Sequence, residues 1–511
     1  MRHLLFITAL FMSCVCSAQV RIDWQQSYGS LENDYSYSIT ETENGFLVFG
    51  MVDIDIPSGM FGCNAFIRAE WLIEIDHEQE LIRQDCFPVG VYPKMLKSAN
   101  GRYYVVELGD IYNLYNLRIN QLDEESNVLW SRSFGTSYGL ANTANNLFAV
   151  ATSDGGVVAA TEFMTADGDI SQEFGAKDCW VVKIDDQGNL AWETTLGTES
   201  NDFVFGLQNA SDGGYYVGLV SVQQGNGNIG CGQPENNGVL VKLDASGQVQ
   251  WSHCYPQIEI CNVIDLESGF LLAGKHQKSD FTYDCCLLKC DSEGNVEWRK
   301  EYGGSGDDMV LKTFCQGKGG YTVFANSKSK DGDVVSAASL GVTDVEKGNI
   351  WVFHVDSDGS LLWERCIGSG LGLQESLRDV IEVGESEYVL LGESEWFEDA
   401  SSGDVNCSNN AILPQSMNNI WVLHITDVFD YDALPEPNNG AIAIHPNPTT
   451  GVVRIEGEKA TEIQVFNPLG QCVKTIQNTN EVSLEGQPQG LYLLRVTLEG
   501  GKVFSDKVVK E

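Results

Sequence analysis

Proline is scarce in this chain, at 12 of 511 residues, and basic residues are scarcer still beside acidic ones. Thirty-one Lys and Arg stand against 72 Asp and Glu, a formal charge of −41. That sign excludes a nucleic-acid binder, because phosphate contacts need Lys and Arg, and it disfavours anionic membrane surfaces. Histidine is rare as well, with 7 residues. No His-x-x-x-His pair, Cys-x-x-Cys pair or phosphate-binding loop occurs, so a metal hydrolase or nucleotide enzyme has nothing to stand on. Long hydrophobic runs are missing too. The apolar run Leu4 to Met12 is far shorter than the roughly 20 residues of a membrane span. It follows Arg2 and His3 and precedes Cys16-Ser17-Ala18, which is the layout of a secretory signal peptide over residues 1–18.

What the chain does hold is glycine, 53 residues, among Trp, Tyr, Phe, Val and Thr in short alternating runs. These point to many strands joined by tight turns. Four stretches share one plan: VKIDDQGNLAWETTLG from Val182, then VKLDASGQVQWSHCYP, LKCDSEGNVEWRKEYG and FHVDSDGSLLWERCIG. Each reads as a strand, a tight acidic turn and a second strand carrying Trp. Ahead of each lies a glycine-type hairpin, and such hairpins occur seven times: at Glu43, Ala99, Ser153, Ser211, Glu267, Gly317 and Glu385. The Trp position also occurs seven times, at Trp24, Arg83, Trp130, Trp192, Trp251, Trp298 and Trp363, with Arg83 breaking the pattern.

Four short strands repeated seven times predict an all-β, seven-bladed β-propeller over residues 19–430, with a straight solenoid as the alternative. The ends favour the ring. Trp24 lies on a strand with no acidic hairpin before it, while Asn419 to Phe429 ends on an acidic turn with no Trp strand after it. If the first strand completes the last blade, no sheet edge stays exposed. The phrase Asp-x-x-Gly-x-x-x-Trp resembles the repeats of pyrroloquinoline-quinone-type propellers and, more loosely, the Asp boxes of sialidases, although its Asp-to-Gly spacing is a residue shorter than the quinoprotein repeat.

Pro435 and Pro437 mark a linker over 431–441, after which the repeat stops and strand runs separated by turns suggest a small β-sandwich over 442–511. Here Pro446, Asn447, Pro448 and Gly451, then Asn467-Pro468-Leu469-Gly470, then Gly490 and Tyr492, and a terminal Lys507-Val508-Val509-Lys510 stand in order. This segment resembles the type A C-terminal sorting domain of the Bacteroidetes type IX secretion system, departing from it at His445 and Asn467. The resemblance implies partners in that secretion machinery and its surface sortase, removal of the domain at the cell surface, and attachment of the mature protein to surface lipopolysaccharide.

Several side chains invite a chemical reading. Gly135-Thr136-Ser137-Tyr138-Gly139 spells a hydrolase nucleophile elbow, but sister copies read GTESND and GGSGDD at the same place, which makes it a loop between blades. His354 and His424 occupy the position of Lys183, Lys242 and Lys289 and are expected on the blade surface. Asp167, Asp169 and Asp178 in one loop, and Asp331, Asp333 and Asp344 in another, space their carboxylates as calcium ligands would, or as Asp-Gly turns capped by their own side chains. Beyond calcium no cofactor is suggested.

Twelve cysteines remain once signal and tail are removed, in an oxidising compartment where pairing is expected. Cys63 and Cys86 are separated by the same interval as Cys231 and Cys254, at the same places in two copies, which argues for the same disulfide twice. Cys290 replaces Ile184 and Leu243 and suits a free core residue. The whole reads as a secreted, surface-displayed propeller that binds an unknown protein or glycan ligand as an adhesion scaffold, with an extracellular glycan- or polysaccharide-active enzyme as the alternative.

Overall fold

The computed structural model describes residues 20–29, 33–53, 68–87, 91–109, 116–137, 140, 146–221, 227–229, 237–316, 319–337, 348–368, 374–396, 417–427, 442–457, 459–467, 472–498 and 503–510. The signal segment and the predicted linker lie outside them. The chain divides into two compact units. One spans Ile22–Thr426; the other takes in Asp427–Glu511 together with the start of the chain.

In the larger unit, seven antiparallel sheets of four strands follow one another. Blades 1 to 6 occupy residues 34–87, 91–134, 147–196, 202–256, 259–302 and 308–367. Blade 7 combines 375–427 with the first strand, Val20–Tyr28, which lies outermost beside Met417–Asp427. The ring closes as the surplus and deficit at the two ends of the repeat predict. The closing strand is held by its side chains: Trp421 Nε1 donates to Gln25 Oε1 (3.1 Å), and Trp24 stacks on His424.

The acidic turn is built by its Asp. Asp185 Oδ1 accepts the backbone N–H of Gln187 (3.0 Å) and Asn189 (2.7 Å), closing the hairpin from inside. Asp76, Asp244, Asp291 and Asp356 do the same in their blades. Three residues after the Asp the backbone turns left-handed, and glycine holds that place at Gly188 (φ 82°), Gly247 (81°), Gly294 (83°) and Gly359 (75°).

The Trp strand ties each blade to the next. Trp130 Nε1 donates to Asp186 O, Trp192 Nε1 to Ala245 O and Trp298 Nε1 to Ser357 O, all at 3.2–3.3 Å, so each indole lies on the acidic turn of the following blade. The glycine in that turn leaves room for the ring: a Cβ on Gly247 would stand 2.5 Å from Trp192. Four residues after Trp, Tyr28, Tyr255 and Tyr302 donate to the carbonyls of Gln79, Gly294 and Gly359 in the neighbouring turns. Arg83, the break in the Trp pattern, reaches the equivalent carbonyl, that of Glu124, through its guanidinium. The turn it meets carries Ser126 in place of glycine, at φ 64°.

In the smaller unit, seven strands between Ile442 and Lys510 form a three-stranded and a four-stranded sheet around Ile455, Val465, Val482, Tyr492, Leu494 and Val508.

Candidate functional site

The two rims of the propeller differ in kind. In blade 4, Asp202, Ser221, Asn237 and Pro256 are paired in one row, so the second-to-third-strand loop and the loop between blades share one rim. Tight Asp- and Gly-based turns fill the opposite rim. In sequence the second and third strands of successive blades are joined by residues 54–67, 109–116, 164–177, 222–236, 278–282, 328–348 and 397–416, unlike in length and composition; 164–177 and 278–282 lie wholly within the described residues, 54–67 and 397–416 wholly outside them. Met164, Phe281 and Val335 stand exposed in these connections, Phe281 at 78 %.

The acidic loops expected to hold calcium clasp the loop rim together. Asp167 accepts the Ser137 N–H (2.8 Å) and hydroxyl, and Asp169 Oδ2 accepts the Gly135 N–H (2.9 Å). Blade 6 repeats the arrangement, with Asp331 on Ser305 N (2.7 Å) and Asp333 on Gly303 N (3.2 Å). These bonds tie each loop to backbone arriving from the preceding blade, so the loops dock one blade on the next. Ser137 of the elbow-like motif is the partner of Asp167, not of a histidine. Asp178 stands apart from Asp167 and Asp169: its Oδ2 accepts the N–H groups of Phe174 (2.7 Å) and Gly175 (3.1 Å). Asp344 lies outside the described residues.

The histidine expectation needs correcting. His354 is fully buried, its Nδ1 2.9 Å from the Thr322 hydroxyl and its ring stacked on Trp363. Burial pushes its pKa down to about 4, so it is neutral in the fold. The lysines at this register position meet acidic side chains, as the buried Lys242 reaches the exposed Asp212 at 2.7 Å. His354 bonds Thr322 in the interior instead. His424 is half-buried, 3.1 Å from Asp23.

General pairing of the cysteines is also corrected. Cys179, Cys261, Cys285, Cys286, Cys290, Cys315 and Cys366 carry free thiols, most of them buried, where they act as small apolar side chains. Cys86 and Cys254 are each disulfide-bonded. The partners that the spacing assigns, Cys63 and Cys231, lie outside the described residues.

A second set of polar groups, which sequence reading missed, lies where the innermost strands border the central channel. Six of those strands carry a β-bulge at the same level, next to Ser38, Lys94, Gly206, Asn262, Lys312 and Asp379. At these positions side chains reach the next blade around the ring. Ser38 Oγ accepts from Met95 N (2.8 Å), Asn262 Oδ1 from Thr313 N (3.1 Å) and Asp379 Oδ2 from Ile39 N (3.1 Å). Gln208 replaces the side chain that Gly206 lacks, accepting from Val263 N at 2.9 Å. Lys312 donates to Val380 O (2.6 Å) and lies 3.3 Å from Asp379 Oδ1. The bulge residue Arg378 pairs with Glu393 through two nitrogens, at 2.8 and 3.2 Å. No short motif could have signalled this ring, because its members come from strands some 50 residues apart.

In the smaller unit the motif residues pin the terminal strand. Thr449 N donates to Val509 O (2.7 Å), and Asn447 Oδ1 accepts from Val509 N (2.9 Å). Tyr492 donates to Pro488 O (2.9 Å). Gly490 opens its strand at φ 149°, in the region that favours glycine. Gly470 lies outside the described residues. The Asn-Pro-Thr and Lys-Val-Val-Lys signatures, far apart in sequence, are one structural clasp.

No curated protein matches the chain. Among solved structures it is similar to the Dos1 propeller (TM-score 0.37, 12 % identity, 82 % of this chain and 93 % of that one) and to the polysaccharide lyase Uly1 (0.43, 10 %, 78 % and 92 %). It is likewise similar to a subtype N11 neuraminidase-like protein of a flat-faced bat isolate from Peru (0.36, 10 %, 78 % and 97 %). Likenesses this weak support no argument, and the propeller rests on its own seven sheets. The family model of the secretion system C-terminal sorting domain matches residues 443–511. That match falls on the segment whose motifs clasp the last strand: the tail is a type IX sorting domain, and the protein is a secreted one, delivered to the cell surface or beyond.

Proposed function

We propose that the mature protein is a surface-displayed binding scaffold whose loop rim contacts a protein or glycan partner. The observation that carries this reading is the contrast between the rims. One rim repeats a capped turn blade after blade, while the other carries connections of up to 21 residues, 328–348, that differ between blades. A scaffold that varies only where loops leave a rigid ring is the general layout of a recognition surface. The sorting tail supplies delivery by the type IX machinery; its surface sortase and surface lipopolysaccharide are the further partners this reading implies.

The test is to screen the secreted propeller against glycan and extracellular-matrix protein arrays, alongside a variant in which 338–347 is replaced by a short Gly-Ser link. Binding that is lost in the variant while the fold is retained supports the loop rim. Unchanged binding moves the surface elsewhere, and turnover of an arrayed polysaccharide by the wild type favours the enzymatic alternative.

A further inference from the structure

We propose that the central channel, at the level of the inner-strand bulges, is a binding site for a compact oxyanion, a carboxylate or sulfate group, held by Lys94 with Lys312 and Arg378 as flanking cations. This does not rest on the loop-rim reading, since the channel residues take no part in that surface.

Lys94 occupies the bulge position of blade 2. In blades 1, 4, 5, 6 and 7 the residue there, or Gln208 in place of Gly206, makes a bond to the following blade. Lys94 makes no such bond and has no hydrogen-bond partner or ion pair among the described residues. Serine, asparagine or glutamine serves the ring at sister positions without a charge, so the fold does not call for an ammonium here.

Nor does Asp379 satisfy it. Asp379 already accepts the backbone N–H groups of Ile39 and Val380 and pairs with Lys312. Glu393 is taken by Arg378 and by Ser36 N. Around Lys94 the channel therefore holds three cations against two committed carboxylates, in a chain of net charge −41. Burial holds the Lys94 ammonium below the usual lysine range, and Lys312 and Arg378 push it the same way against the pull of Asp379. A partly buried cation with no ion-pair partner of its own among the described residues is relieved when an anion enters, and a carboxylate or sulfate brings several acceptors to donors on three blades.

The experiment is isothermal titration of the secreted chain with sodium sulfate, sodium glucuronate and glucose, at ionic strength held constant with sodium chloride. Saturable binding of sulfate or glucuronate, with none of glucose, is expected. The arm that binds more tightly distinguishes a sulfate from a sugar carboxylate. Lys94→Met is expected to weaken that binding at least tenfold while its melting temperature in chloride stays equal or rises, and Lys94→Gln serves if the first variant does not accumulate. Flat heats with both anions overturn the proposal, as does undiminished affinity in the Lys94 variants.

Discussion

Asp178 is the residue at which a repeated solution is left incomplete. Asn116, at the same position in blade 2, accepts from Thr136 N (3.2 Å) and donates through Nδ2 to Thr136 O (3.1 Å). Asn349 and Asn419 hold this position in blades 6 and 7. Asp178 has no amide to donate, and its buried Oδ1 lacks a partner. Burial lifts the carboxyls of both Asp178 and Asp202 above the usual range, and Asp178 adds to the shift of Asp202. A raised folded pKa means that the fold holds its proton more tightly than the unfolded chain does. Stability is then greatest below the unfolded value of about 3.9 and falls as pH rises through the folded values. Asp178→Asn is expected to stabilise the propeller by about 1 kcal/mol at neutral pH through the restored donor. The gain should shrink toward pH 4, and urea midpoints at pH 4 and pH 7.5 check it. An equal gain at both values would show that ionisation plays no part.

At the scale of the element, the break at Arg83 and the missing glycine at Ser126 meet in one contact. Where Trp130, Trp192 and Trp298 cover a turn, a Cβ on its glycine would stand 2.5–3.1 Å from the ring, whereas the turn met by Tyr28 carries Gln79 at φ 67°. Where guanidinium replaces the indole, a side chain is tolerated, although Ser126 stays left-handed and its buried hydroxyl lacks a partner. Arg83→Trp alone is expected to cost about 1–2 kcal/mol by crowding Ser126, and Ser126→Gly beside it should recover at least that much. A double-mutant cycle in urea that gives additive effects would separate the two positions. The outer hairpins carry the second test. Non-reducing peptide mapping is expected to recover Cys63 joined to Cys86 and Cys231 to Cys254, each bridge contributing about 3 kcal/mol on loop entropy. Recovery of Cys63 or Cys231 as free thiols would end that pairing.

The strands, their turns and their number were legible because period-two alternation and the Asp-x-x-Gly turn are local signals. The Trp-to-turn contacts explain why the phrase repeats, but they cross between blades 53 to 59 residues apart, beyond any pattern a single phrase displays. His354 misled because register gives the face of a strand, not the partner its side chain meets there. The channel cations were not legible at all, since a bulge shifts register by one residue without marking the sequence.

For the whole molecule, the tail decides where the propeller ends up. Deleting 440–511 is expected to leave the chain in the periplasm, and the mature surface form should be lighter by roughly that segment. Fractionation and mass spectrometry check both, and normal surface display of the truncated chain would refute the assignment of export to this domain.

Closure by the first strand sets an order in time. Val20–Tyr28 emerges from the ribosome among the first strands and finds its partner, Met417–Asp427, only after nearly 400 further residues have been made. Until then two sheet edges stay open. A chain that stops short of residue 417 cannot close the ring however well its first six blades form, and it presents unpaired backbone to proteases and to other chains. Since the sorting domain follows residue 427, every chain long enough to be exported is also long enough to have closed.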